Sequence, residues 1–243
     1  MGLRLPPVRA RSRLLDSPRA PILCYVTDRR SLDLPAAQDD LQRFVHKVEA
    51  VASAGVDWIQ IREKDLSARD LTWLTRQILS FVRRGHDPTD TNHRSRIIVN
   101  DRLDVALAER ADGVHLAENS VPVTDTKRLA AMRGVSDDFL VGVSCHSLEA
   151  AKLAEREGAD YLFFGPIFAT PAKVRFGEPQ GLEQLAVVCD SVSVPLVAIG
   201  GITLDTASAC VAAGAAGIAA IRLFQESRNL HATIAALRRE IGT

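Results

Sequence analysis

The sequence predicts a single (β/α)8 barrel, a TIM barrel with a closed, eight-stranded parallel sheet, and three observations predict it. The chain is 243 residues long, close to the usual size of one such barrel, so no second domain is needed. Hydrophobic residues make up 47% of it, enough for a large buried core. A small-residue turn followed by a short apolar run recurs along the chain at roughly 50 residues, too long for most solenoid repeats and right for paired β/α units.

Taken in order, the four recurrences are AGVDWIQI at 54–61, ADGVHL at 111–116, GADYLFF at 158–164 and GAAGIAAI at 214–221. Each follows a stretch with helical periodicity; Phe44, Val45, Val48, Val51 and Ala52, for instance, fall on one face. The glycine of each repeat reads as a helix C-cap, where the left-handed conformation is needed. Four further apolar runs, 22–28, 96–101, 140–146 and 195–200, supply the alternate strands. Even spacing and the lack of GxGxxG after the first strand argue against an open, doubly wound sheet. Residues 1–20 carry Arg4, Arg9, Arg11, Arg13 and Arg19 among prolines with no apolar stretch. They read as a basic, disordered arm ahead of a barrel domain at 21–243; an organelle transit peptide is the other reading.

Lys+Arg and Asp+Glu are both 30, for a formal net charge of zero. This argues against nucleic acid or an acidic membrane as partner, while leaving room for a local basic pocket. Cys24, Cys145, Cys189 and Cys210 lack CxxC spacing and read as reduced thiols of a cytoplasmic protein. No apolar run is long enough to cross a bilayer. The expected partners are small phosphorylated substrates; a homo-oligomer remains open.

Barrel chemistry collects at the C-terminal strand ends, and the polar residues fall there. After the second strand, alternation aligns Gln60, Arg62 and Lys64 as an anion-binding row, with Arg62 able to grip phosphate bidentately. An ordinary salt-bridged loop is the alternative. After the third strand, Asp101 beside Asn100 either holds Mg²⁺ for a diphosphate or caps a helix starting near Arg102. After the fifth, Ser144 and His146 share a face that excludes Cys145, Ser147 suits an N-cap, and His146 is an acid/base or a wall residue. His115 reads as a satisfied interior or mouth histidine. The loop 165–177, with Thr170, Lys173 and Arg175, has the makeup of a lid over an anion, or is plain surface. Gly200–Gly201 and the stretch through Ile221 and Arg222 occupy the position at which barrels bind phosphate on backbone amides. A tight turn would also account for the glycine pair.

The motifs QIREKD (60–65), VND (99–101), GVHL (113–116), GVSCHS (142–147), GPIFATPAK (165–173) and AIGGI (198–202) together resemble the thiamine phosphate synthases and the related TenI-type thiazole tautomerases. The likeness runs from about Ile22 to Phe224, nearly the whole barrel. It implies a transferase that joins hydroxymethylpyrimidine diphosphate to thiazole phosphate: diphosphate leaves first, and the thiazole nitrogen captures the pyrimidine cation. Gln60, Arg62, Lys64, Asn100, Ser144 and Lys173 match the pyrimidine-diphosphate positions. Thr170, Gly200, Gly201, Ile221 and Arg222 match the thiazole-phosphate cradle, and Asp101 matches a Mg²⁺ ligand.

Three departures stand out. The second Mg²⁺ ligand, an Asp in the family's H-x-G-Q-E-D, is Ser120 here, with Glu118 nearby as a substitute ligand if the loop shifts. Ala172 replaces a hydroxyl residue, and Arg222 replaces a serine. These favour the tautomerase, which needs no metal and transfers a proton at the position of His146; Asp101 and the strand-two motif favour the synthase. A non-catalytic phosphate-ligand binder is the third reading.

Overall fold

The computed structural model describes residues 20–32, 40–84, 94–135, 138–169 and 178–242. The basic arm, the polar insertion around 85–93 and the loop segment 170–177 lie outside these. Eight parallel strands close in sequence order: β1 (Ile22–Val26), β2 (Trp58–Ile61), β3 (Arg96–Asn100), β4 (Gly113–Leu116), β5 (Leu140–Cys145), β6 (Tyr161–Phe164), β7 (Leu196–Ile199) and β8 (Gly217–Ala220). The odd strands end one or two residues earlier than the apolar runs at 22–28, 96–101, 140–146 and 195–200 suggest. The helices are α1 (Asp40–Ser53), α2 (Ala68–Arg83), α3 (Leu103–Ala108), α4 (Val123–Met132), α5 (Leu148–Arg156), α6 (Gly181–Ser191), α7 (Leu204–Ala212), α8 (Arg222–Gln225) and α9 (Leu230–Ile241).

Strands covered on both faces are apolar throughout, and two cores result. The outer core joins strands to helices: Phe44, Val45, Val48 and Val51 of α1 share a cluster with Leu23, Tyr25 and Ile59. The inner core fills the barrel with Cys24, Val26, Trp58, Ile98, Leu140, Tyr161, Phe163, Val197 and Ala219. Gly55, Gly158 and Gly214 follow α1, α5 and α7 with φ between +93° and +98°, as left-handed caps require. The second repeat departs from expectation. Its left-handed residue is Arg110 (φ +53°), while Gly113 lies inside β4, where a Cβ would meet the Leu140 carbonyl at 2.5 Å.

The repeats also tie the N-terminal rim together. In three of them an aspartate just before the even strand accepts a backbone N–H of the preceding odd strand: Asp57 from Leu23 (2.6 Å), Asp112 from Ile97 (2.7 Å) and Asp160 from Val141 (2.8 Å). Each carboxylate is matched by a cation, respectively Arg238, Arg94 and Lys127. This is the end of a barrel that serves stability. The described cysteines are all free thiols. Among the described residues, no helix is long and apolar enough to cross a membrane.

Candidate functional site

Alternation carries the inner core upward into a polar mouth. Above Trp58 on β2 stands Gln60, and above Ile98 on β3 stands Asn100; Gln60 Nε2 donates to Asn100 Oδ1 at 2.7 Å. Gln60 is 2% exposed and its Oε1 has no partner among the described residues. A buried, unsatisfied carbonyl is costly, so this oxygen is suited to receive a ligand N–H. On the far side, His115 of β4 bonds Ser144 Oγ of β5 through Nε2 (2.9 Å) and Tyr161 of β6 through Nδ1 (3.0 Å). Burial, helped by the charge of Arg62, pushes the His115 imidazole down to about 3, so it stays neutral.

Arg62 extends the β2 line by one inward position. Its amide donates to Thr27 Oγ1, whose hydroxyl donates to Glu63 Oε1 at 2.6 Å. Glu63, turned outward and buried, also accepts the Arg29 amide, and burial raises its carboxyl above the ordinary range. A buried carboxylate thus holds the backbone under Arg62, while the Arg62 guanidinium forms no ion pair with a described residue. Because β2 stops at Ile61, Lys64 sits exposed in the following turn, beside a cleft of about 250 Å³ shared with Glu63, Leu66, Leu71, Asn100, Asp101 and Arg102.

Asp101 is not a helix cap: α3 starts at Leu103 with Arg102 at its N-cap. Asp101 adopts φ +57°, its amide donates to the His115 carbonyl at 2.8 Å, and its Oδ1 accepts from Ser120 Oγ at 2.5 Å. The loop after β4 therefore brings Ser120 to Asp101, the place where the resemblance expects a second carboxylate. Glu118 goes elsewhere. Its Oε2 accepts from both the amide (2.9 Å) and Nδ1 (2.7 Å) of His146, so it does not converge on Asp101. No group of three or more metal-ligating side chains forms among the described residues. Asp101 and Ser120 offer two hard oxygens, a set that suits Mg²⁺ held largely by water and substrate phosphates rather than by a protein cage.

Cys145 faces the outer core and its thiol is pushed up to about 12 by burial, as alternation implied, and Ser147 caps α5 through the Ala150 amide. Gly200 (φ +99°) and Gly201 (φ +70°) turn the chain after β7. A Cβ at either would press on Pro166 or Phe168 at 2.6–2.7 Å, so packing against the loop after β6 demands glycine here. The Gly200 and Gly201 amides donate to no described residue, whereas the Gly200 carbonyl accepts from Phe168. Ile221 is the N-cap of α8, and the Arg222 side chain, on its first residue, is exposed without an ion pair among the described residues. Thr170 and Lys173 lie outside the described residues.

Sequence reading missed Thr27 and Glu63, which support Arg62, and the partners of His115. Outward alternation at Glu63 was the available signal, since a carboxylate on a barrel's covered face needs donors.

A family model described as thiamine monophosphate synthase matches residues 26–224. The thiamine-phosphate synthase of Chlorobium luteolum is 36% identical over 207 residues, covering 85% of this chain and 86% of that protein. That of Chloroflexus aurantiacus is 41% identical over 174 residues, covering 72% and 74%. A thiamine phosphate pyrophosphorylase structure from Pyrococcus furiosus superposes with a TM-score of 0.73 at 32% identity, covering 91% of this chain and 95% of that one.

Proposed function

The chain belongs to the thiamine monophosphate synthase family, and from that premise we propose how its barrel mouth joins hydroxymethylpyrimidine diphosphate to thiazole phosphate with release of diphosphate. The observation that carries the reading is Arg62, which forms no ion pair with a described residue and whose charge reaches the neutral His115 ring, at a barrel mouth that also holds the paired hard oxygens of Asp101 and Ser120.

The C–O bond between the pyrimidinylmethyl group and the diphosphate breaks, and its electron pair leaves with the diphosphate. Arg62 and Lys64 receive the charge that develops there, where preorganised cations act most strongly. Asp101 and Ser120 would hold Mg²⁺, which when bound supplies further neutralisation of the leaving diphosphate. Gln60 and Asn100 hold the pyrimidine edge, with Gln60 Oε1 accepting from an amino group. Neutral His115 adds no positive charge to oppose the pyrimidine cation. The thiazole nitrogen then donates its lone pair to form the C–N bond. Its phosphate rests on the Gly200 and Gly201 amides, which donate to no described residue, and on the first turn of α8, with Arg222 beside them. By the family resemblance, Lys173 would act on the diphosphate and Thr170 on the thiazole phosphate.

One observation favours a second reading. The Glu118–His146 pair at the rim is a proton-transfer arrangement suited to a thiazole carboxylate tautomerase. Purified protein supplied with both synthase substrates and Mg²⁺ decides between them: thiamine phosphate formation supports the synthase. Its absence, with chelator-insensitive proton exchange on the carboxylated thiazole that is lost in His146→Ala, would support the tautomerase.

A further inference from the structure

Tyr161, His115 and Ser144 form a hydrogen-bonded line from the barrel interior to its mouth. Tyr161 is 0% exposed and His115 is 1% exposed, while Ser144 is half-buried at the rim. The line is held tightly. Gly142, the inward residue below Ser144, has no Cβ, and the Tyr161 ring occupies the space that one would fill. Trp58 packs edge-on against Tyr161 at 4.7 Å, and Phe163 lies 4.3 Å from the His115 ring.

Proton placement follows from counting donors. The Tyr161 hydroxyl has one partner among the described residues, His115 Nδ1. If Nδ1 carried the proton, the phenol O–H would be buried with no acceptor, which is the expensive error in a protein interior. The phenol therefore donates to a bare Nδ1. A neutral imidazole then carries its proton on Nε2, and Nε2–H donates to Ser144 Oγ. The serine oxygen is filled on that side, and its own O–H is left to point elsewhere.

We propose that Tyr161 is a positioning residue that acts through the His115 tautomer to present the Ser144 hydroxyl as a hydrogen-bond donor to a phosphoryl oxygen of the pyrimidine diphosphate. With the opposite tautomer, Ser144 would spend its proton on His115 and offer the anion only lone pairs. The assignment of diphosphate to this mouth rests on the synthase reading, whereas the tautomer does not.

Two measurements test it separately. Nitrogen NMR of the histidine rings, with His115 assigned by the His115→Gln variant, is expected to show the Nε2–H form in the free protein; an Nδ1–H form overturns the proposal. Because this readout needs no turnover, a failed synthase assay leaves it intact. In the second, KM and kcat for the pyrimidine diphosphate are compared in Tyr161→Phe, Ser144→Ala and the double variant. Either single change is expected to reduce kcat/KM about ten-fold or more, in line with losing an oriented donor. The double variant is expected to be no worse than Ser144→Ala, since Tyr161 has nothing left to orient. Fully additive losses would mean that Tyr161 only supports the fold, and would overturn its positioning role. If Tyr161→Phe fails to fold, inorganic diphosphate with Mg²⁺ titrated into wild type and Ser144→Ala keeps the test open. Weaker binding in Ser144→Ala supports the donor role, and equal binding removes it.

Discussion

Ser120 Oγ donates to Asp101 Oδ1 at 2.5 Å, so a hydroxyl stands against the carboxylate where the family's pattern has a second aspartate. One carboxylate and one hydroxyl make a weak protein site for Mg²⁺ but an adequate half-site for Mg²⁺ that arrives on a diphosphate. Titration of Mn²⁺ is therefore expected to show little binding to the protein alone and clear binding with inorganic diphosphate. Ser120→Asp is expected to tighten binding without diphosphate by about ten-fold or more, the scale on which a changed metal contact acts. Unchanged binding in that variant would remove Ser120 from the site.

Arg62 and Lys64 should not contribute equally. Arg62 is inward, forms no ion pair with a described residue and is held from below by the Thr27–Glu63 contacts, whereas Lys64 lies exposed in a turn. Arg62→Ala is expected to lower kcat by about a hundred-fold or more, and Arg62→Lys to recover little of it, because an ammonium cannot grip bidentately. Lys64→Ala should cost less. Steady-state kinetics of the three variants check this, and equal losses in the two alanine variants would contradict the geometry.

Stability should carry the mark of neutral His115. Its imidazole is pushed down to about 3 by burial, against an unfolded value of about 6.5. Between these values the unfolded chain binds a proton that the folded chain refuses, so stability falls as pH drops from 6.5 toward 3 and is unaffected above that window. From pH 7.5 to pH 5 the loss from this residue is about 2 kcal/mol. Urea unfolding at the two pH values is expected to show that difference in wild type and a smaller one in His115→Gln; identical pH dependence would contradict it.

The N-terminal rim should affect stability without touching catalysis. Asp112 accepts the Ile97 amide and pairs with Arg94 at 12% side-chain exposure. Asp112→Ala leaves that amide and the guanidinium short of a partner, so a loss of about 2 kcal/mol is expected. Denaturant unfolding measures it, and kcat/KM at a temperature where the variant is folded should stay at the wild-type value.

The repeat at 54–61, 111–116, 158–164 and 214–221 made the barrel legible, because turn, strand and helix periodicity recur together. Alternation also turned Cys145 from the mouth and placed Gln60, Arg62 and Ser144 toward it. Alternation gives less guidance further past the ladder: Lys64 lies in a turn and Asp101 has a left-handed backbone, so loop conformation sets their directions. Loop pairing was equally hidden. Nothing in local sequence says that Ser120 reaches Asp101 while Glu118 reaches His146, since each contact joins loops of different β/α units. The Tyr161–His115–Ser144 line was hidden for the same reason, its three members lying on three strands.

The most direct test of the account is the stoichiometry of product and leaving group. Purified protein is mixed with hydroxymethylpyrimidine diphosphate, thiazole phosphate and Mg²⁺, and thiamine phosphate and diphosphate are measured together over time. The two are expected to appear in equal amounts, to require both substrates, and to be suppressed in Arg62→Ala. Intact substrates after prolonged incubation with folded protein, and no diphosphate released, would contradict it.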